Sequence, residues 1–194
     1  MTGTRPQRVR IIGGLWKRTP LAVVDAPGLR PTHDRVRETL FNWLGQTLDA
    51  CRCLDVFAGT GALGLEAASR GATRVVMIEQ DLAACRAIAQ SIGRLKADDR
   101  VQLLEGDALA RLARLAREGQ RFDLVFLDPP FGQGWLARVL PLLPPLLAEG
   151  ALIYAESEAA VDDWPAEFSL ERAARAGHVH YHLLRFGGEG PQAH

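Results

Sequence analysis

Apolar runs too short for helices alternate with longer segments of helical periodicity through most of the chain. Leu54 to Phe57, Val75 to Ile78, Val101 to Leu104 and Leu124 to Leu127 are rich in Val, Leu and Ile at successive positions. That pattern predicts parallel strands buried on both faces. The segments between and after them, Ala62 to Ser69, Asp81 to Ile92, Ala108 to Arg117 and Trp135 to Leu147, read as the intervening helices. Pro141, Pro144 and Pro145 predict that the last of these is kinked. Ala151 to Tyr154 supplies a fifth strand. Phe168 to Arg172 and His178 to Phe186 follow with no helix between them, which predicts an antiparallel pair at an edge. The expectation is an α/β fold with a seven-stranded, mostly parallel sheet, an antiparallel edge strand, and helices on both faces.

Ahead of this alternation the pattern differs. Arg8 to Ile12 and Leu21 to Val24 read as two short strands around a loop from Gly13 to Pro20, whose tip carries Trp16, Lys17 and Arg18. An aromatic beside two cations suits an unpaired base flanked by phosphates. The same tryptophan could instead cover a hairpin core. Ala26 to Pro31 is a linker, after which Thr32 or Asp34 caps a helix with Val36, Leu40, Trp43, Leu44 and Leu48 on one face. The organisation expected is a β-hairpin extension and linker over residues 1–30, one domain over 31–186, and a tail over 187–194.

At 194 residues with 47% hydrophobic and 24% charged residues, the chain has the balance of a globular domain. No apolar run reaches membrane-spanning length, and the N-terminus lacks a signal-peptide core, so no membrane partner and a cytoplasmic address are expected. Three cysteines, Cys51, Cys53 and Cys85, are too few for a disulfide framework or a paired metal motif. His178, His180 and His182 alternate, yet no further ligand has suitable spacing, so no metal is assigned. The zero net charge hides an asymmetry. Residues 1–37 hold eight basic side chains against Asp25 and Asp34, a local +6. A concentrated basic end predicts a polyanionic partner.

The chemistry-bearing signal is Asp128-Pro129-Pro130-Phe131, at the end of the strand predicted up to Leu127. Two prolines stiffen the peptide and fix its carbonyls. An aromatic face can take a planar base, while Asp128 and the Pro129 carbonyl accept from an exocyclic amine. Two acceptors that draw the amine hydrogens out of plane free a lone pair otherwise delocalised into the ring. Asp55 to Glu66 joins the first strand to its helix through Gly59, Gly61 and Gly64, whose turn lets the backbone approach a nucleoside. Glu79 ends the next strand and suits ribose hydroxyls, and Asp107 with the Ala108 N–H ends the third beside an adenine. The glycines alone also fit NAD. Asp55 argues against it, because a carboxylate aimed into the cradle repels a pyrophosphate and attracts a cation.

Together these stretches resemble a class I S-adenosylmethionine methyltransferase with a Rossmann-like fold. More narrowly they resemble the bacterial family that methylates guanine N2 of 16S ribosomal RNA. The likeness is carried by Arg10 to Gly14, Gly28 to Leu44, Leu54 to Glu66 and Asp128 to Phe131, and extends through Ala151-Leu152-Ile153-Tyr154-Ala155-Glu156-Ser157-Glu158. The resemblance implies S-adenosyl-L-methionine as cofactor, held by Asp55, Phe57, Gly59, Thr60, Gly61, Glu79, Asp107 and Ala108. It implies Asp128, Pro129, Pro130 and Phe131 as the catalytic peptide around the target guanine. Arg8, Arg10, Trp16, Lys17, Arg18, Arg30, Arg35 and Arg37 would approach the RNA. The partner implied is ribosomal RNA or a 30S assembly intermediate or subunit, met by a monomer. Methyl transfer would be a direct in-line displacement without a cysteine nucleophile or histidine base. A DNA or protein-glutamine amino methyltransferase, an NAD-dependent oxidoreductase and a non-catalytic RNA-binding module remain as alternatives.

Overall fold

Side chains on successive strand positions point to opposite faces, and the apolar runs divide accordingly. In the computed structural model, which describes residues 9–22 and 34–187, Cys53, Val75, Met77, Leu124 and Phe126 join one core layer. Leu54, Val76, Ile78, Val125 and Leu127 join the other. The strands are β1 (Arg52–Asp55), β2 (Arg74–Glu79), β3 (Val101–Glu105), β4 (Phe122–Leu127), β5 (Leu147–Ser157), β6 (Phe168–Ala176) and β7 (Val179–Phe186). They form one sheet in the order β3-β2-β1-β4-β5-β7-β6. All pairings are parallel except those of β7, which runs antiparallel to both β5 and β6. The reversed strand therefore lies one place in from the edge, and β6 is the edge itself.

Helices α1 (Asp34–Leu44), α2 (Ala62–Ser69) and α3 (Leu82–Leu95) cover the first face. Helices α4 (Ala108–Arg117) and α5 (Trp135–Val139) cover the second. The kinked helix expected over Trp135 to Leu147 is shorter. It stops at Val139 and continues as two 3-10 turns, Leu140–Leu142 and Pro144–Leu146. Three prolines remove the N–H groups that a continuous helix needs. Leu140, Leu143 and Leu146 nevertheless stay buried, so the covering layer survives the break.

Within residues 9–22 the N-terminal hairpin is a ladder with a single bridge; Arg8, Val23 and Val24 of the two expected strands lie outside the described residues. Arg10 and Pro20 form its antiparallel bridge, flanked by Ile11 N–H to Thr19 O (2.9 Å) and Leu21 N–H to Val9 O (2.9 Å). Its turn is fastened to α2. Ile12 and Gly13 N–H donate to the Glu66 carboxylate at 2.6 and 2.7 Å, and Trp16 N–H donates to Ser69 Oγ at 2.9 Å. Glu66 is fully buried and also receives Arg70 Nε at 2.8 Å, with Arg37 Nη1 at 3.8 Å. A buried carboxylate is tolerated only with such donors around it. The hairpin thus closes a charged hub in the core.

Candidate active site

Four strands deliver their carboxyl ends to one edge of the sheet, and parallel pairing is the reason. Asp55 ends β1, Glu79 ends β2, Asp107 follows β3 and Asp128 follows β4. The glycine turn between β1 and α2 is drawn onto this edge by Ala58 N–H to Ile78 O (2.9 Å) and Gly59 N–H to Glu79 Oε2 (2.7 Å). Gly61, at φ 75°, has the left-handed conformation the turn requires. A Cβ on Gly64 would stand 2.5 Å from Met77 Sδ and 3.3 Å from Asp55 Oδ2, so glycine there lets α2 lie close against the strands. Thr60 and Phe57 are half-buried at the same turn.

Asp55 is the most unusual group of the site. It is 1% exposed, its Oδ2 accepts from Gly64 N–H at 3.0 Å, and its Oδ1 is buried with no hydrogen-bond partner. Burial pushes its carboxyl up to about 7. The Gly64 and Phe57 N–H groups pull the other way, while Asp128 and Glu79 add to the rise. An orphaned buried acceptor calls for a donor, best a cationic one.

Glu79 has a second task that the sequence does not announce. Besides Gly59 it accepts from Gln80 and Asp81 N–H, both at 2.8 Å, and so ties the glycine turn to the start of α3. Asp107 caps α4, accepting from Ala110 N–H at 2.9 Å, with Ala108 buried behind it. In the Asp128-Pro129-Pro130-Phe131 peptide Pro129 is buried, while Asp128, Pro130 and Phe131 are partly exposed. Asp128 lies near enough to Asp55 to raise its pKa. Phe57, from the glycine turn, meets Trp135 edge-on at 5.2 Å, and the Arg138 guanidinium covers the Trp135 ring at 4.1 Å. Arg138 escaped the sequence reading because its partner lies one helical turn back on α5.

The cationic side chains expected to meet RNA divide. Arg10, Lys17, Arg18 and Arg35 are exposed, Arg10 pairing with Asp34 at 3.3 Å. Arg8 and Arg30 lie outside the described residues. Arg37 does not fit the expectation. It is 0% exposed and is held by Asp34 (2.6 Å) and Glu66, an internal counterion rather than a surface contact. Trp16 is half-buried, packed on the core below the hairpin, with Arg100 at 6.0 Å from its ring. Arg100 precedes β3, and Ser69 ends α2, so the hairpin tip sits toward the amino ends of the strands, away from the edge that carries Asp55 and Asp128.

No thiol is poised as a nucleophile. Burial pushes the Cys53 thiol well up and the Cys85 thiol up to about 11. Among the described residues, no three His, Cys, Asp or Glu side chains gather as a metal cage. His182 is buried edge-on against Trp164, and burial lowers its pKa. No described helix is long and apolar enough to cross a membrane.

This sheet order, with its glycine turn and its acid at each strand end, defines a class I methyltransferase. A family model described as Conserved hypothetical protein 95 matches residues 9–185, and the chain belongs to that family. It is 44% identical over 187 residues to Ribosomal RNA small subunit methyltransferase D of Escherichia coli (strain K12), covering 94% of this chain and 92% of the relative. The protein of the same name from Haemophilus influenzae is 38% identical over 181 residues, covering 91% and 93%. Among solved structures, yhhF from Escherichia coli superposes with a TM-score of 0.81 at 44% identity, covering 95% of this chain and 99% of that one. An RNA methyltransferase from Salinibacter ruber in complex with S-adenosyl-L-homocysteine has a TM-score of 0.64 at 17% identity, covering 84% and 98%, a likeness of fold alone.

Proposed function

We propose that the protein methylates ribosomal RNA of the small subunit, at the exocyclic N2 amine of a guanine, with S-adenosyl-L-methionine as methyl donor. The observation that carries this reading is the pairing, on one sheet edge, of the orphaned Asp55 oxygen with the Asp128-Pro129-Pro130-Phe131 peptide. The first suits a cation and the second an amine. The names of the relatives in Escherichia coli and Haemophilus influenzae support the RNA class. When bound, the cofactor supplies an electrophilic methyl carbon on a positively charged sulfur that leaves as a neutral thioether.

The chain's own residues do the rest. Asp55 and the Gly59 to Gly61 turn hold the methionine end, where an ionised carboxylate meets an ammonium. Glu79 accepts from ribose hydroxyls with lone pairs beyond those its three backbone donors use. Asp107 and the Ala108 N–H border the adenine. Phe131 supports the flipped base, which must leave its helix to expose the amine. Asp128 and the Pro129 carbonyl would hold the two N2 hydrogens out of the ring plane and so free the nitrogen lone pair for transfer. The methylated nitrogen is strongly acidic, and Asp128 stands where its surplus proton is shed on the way to water. Arg10, Arg35, Lys17 and Arg18 contact flanking phosphates, and the enzyme works in the cytoplasm on RNA or a 30S assembly intermediate.

The test is to incubate the protein with labelled S-adenosylmethionine and 16S ribosomal RNA, free and within 30S particles, and to map the label. Label on N2 of one guanine is expected, and Asp128→Ala should abolish it while leaving cofactor affinity intact. Label on an adenine, or on RNA with Asp128→Ala unimpaired, overturns the reading. A larger thermal shift with NAD than with S-adenosylmethionine favours the oxidoreductase instead.

A further inference from the structure

The loop that follows the Asp128-Pro129-Pro130-Phe131 peptide leads to a cation that the proposed chemistry leaves without a task. Gly132 and Gly134 take the left-handed backbone conformation, at φ 77° and 61°, and turn the chain from Phe131 into α5. That turn delivers Trp135 to Phe57, with the ring centroids 5.2 Å apart. Trp135 is 7% exposed and its Nε1–H donates to Gln133 Oε1 at 3.1 Å, so the indole is fixed from two sides. Arg138, one turn further along α5, is exposed and lays its guanidinium over that ring at 4.1 Å.

Arg138 differs from the other arginines on this face in what it holds. Arg111 donates to the Glu105 carbonyl, Arg114 to the Glu118 carboxylate, Arg117 to the Ala113 carbonyl and Arg121 to the Pro145 carbonyl. Among the described residues, the partner of Arg138 is a ring and not an oxygen. Its five N–H donors therefore face solvent on a side chain that stacking already holds in place. A cation ordered in advance loses less entropy when it meets a ligand. Its position matters as much. Phe57 lies two residues after Asp55 on the glycine turn, so Arg138 stands one ring away from the strand ends that form the site. The carboxylates of Glu79 and Asp107 on this edge repel a polyanion, and Lys17 and Arg18 lie toward the opposite ends of the strands. A nucleic-acid strand brought to this edge needs a cation there.

We propose that Arg138, stacked on Trp135, binds a backbone phosphate beside the target nucleotide and so anchors the RNA strand at the site. This rests on the RNA-methylation reading above and says which side chain holds the strand there. A guanidinium gives two parallel N–H donors to phosphate oxygens. Such a contact positions a strand without reading its sequence. A nucleotide that swings out of its helix turns about its backbone, so a fixed phosphate sets where the base arrives.

The experiment neutralises each side of the contact in turn. The nucleotide labelled by the wild-type protein is mapped, and the RNA is rebuilt by ligation with a single uncharged methylphosphonate linkage on one side of it or the other. The flanking 2′-hydroxyls are methylated for stability, and the same methylated RNA with ordinary phosphates is the reference. Equilibrium affinity is measured across a salt series for wild type, Arg138→Met and Arg138→Lys. Methionine keeps an apolar chain over Trp135 and removes the charge, and lysine restores the charge. With the reference RNA, Arg138→Met should lower the log–log salt slope by about 0.7–0.9, and Arg138→Lys should return most of it. One neutral linkage should weaken wild-type binding and leave Arg138→Met nearly indifferent. The thermal shift with S-adenosylmethionine should be the same in all three proteins. A folded Arg138→Met with the wild-type slope overturns the proposal, and with the cofactor shift also lost it makes the stack a support for the cofactor turn instead. Equal losses from the neutral linkage in wild type and Arg138→Met overturn it too. So does a wild-type protein indifferent to both neutral linkages, whether or not the variants fold. A wild-type protein that neither binds nor labels ribosomal RNA refutes the underlying reading, before any variant is made.

Discussion

Asp55 ties stability to function through a single proton. Its carboxyl titrates at about 7 in the folded protein against 3.8 in the unfolded chain, so the folded state binds that proton more tightly. The penalty for ionising it is absent below the unfolded value, grows as pH rises toward 7, and is complete above. Three pKa units correspond to a few kcal/mol, on the order of 4. Asp55→Asn keeps an oxygen for the Gly64 N–H and removes the charge. Its melting temperature without ligand should exceed that of wild type at pH 8 by much more than near pH 4.5, while the cofactor-induced shift is lost. Equal shifts at both pH values would detach the effect from ionisation. The position of Asp55 at a strand end was legible in the sequence, because apolar runs mark strand ends. Its orphaned oxygen was not, because that depends on α2 closing over it. Arg37 shows the same limit. It is charged and adjacent to the apolar face of α1, and only Glu66, twenty-nine positions away, makes its burial possible. Removing one partner of a buried pair costs about 3–5 kcal/mol. Arg37→Gln should therefore lower the melting temperature by roughly 6–20 °C in a domain of this size, without changing the salt dependence of RNA binding.

Elements were more legible than their contacts. The helices Ala62–Ser69 and Ala108–Arg117 begin and end where their periodicity and flanking glycines place them. The α5 region broke into 3-10 turns because prolines act locally and the leucine pattern alone does not register lost N–H groups. The hairpin was expected as an appended arm, and the structure makes it a clamp. Its N–H groups satisfy Glu66 and Ser69, so deleting it strips donors from a buried acid and cannot isolate a docking role. Exchange of exposed cations is cleaner. The tip lies along α2 from the glycine turn, and eight helical residues span about 12 Å, a few phosphates of RNA. Lys17→Gln with Arg18→Gln should weaken RNA binding and lower its log–log salt slope by up to about 0.7–0.9 per contact. The maximal rate and melting temperature should stay unchanged. An unaltered slope would take the hairpin tip out of the interface.

At the scale of the whole molecule, the strand order divides the labour. The order reverses at β1, with β2 and β3 on one side and β4, β5, β7 and β6 on the other. Asp55 ends the strand of the reversal, Glu79 and Asp107 fall on the first side and Asp128 on the second, so under the proposed function cofactor and base would be held by different parts of one sheet. The alternation of strands and helices predicted the class of fold, but not that β7 would insert between β5 and β6. That insertion depends on a return of the chain that no local pattern encodes. It also governs the order in which the protein can be assembled. Leu152 to Ser157 of β5 pair with residues 180–185 of β7, so during vectorial synthesis this edge stays bare until those residues have been made. A long apolar edge left open is a template for association with other chains. A chain ended at Trp164 should aggregate and show no thermal shift with S-adenosylmethionine, and a soluble, cofactor-binding fragment would refute this. The half of the site that reads the base would then come into being last, with the C-terminal hairpin as the step that closes it.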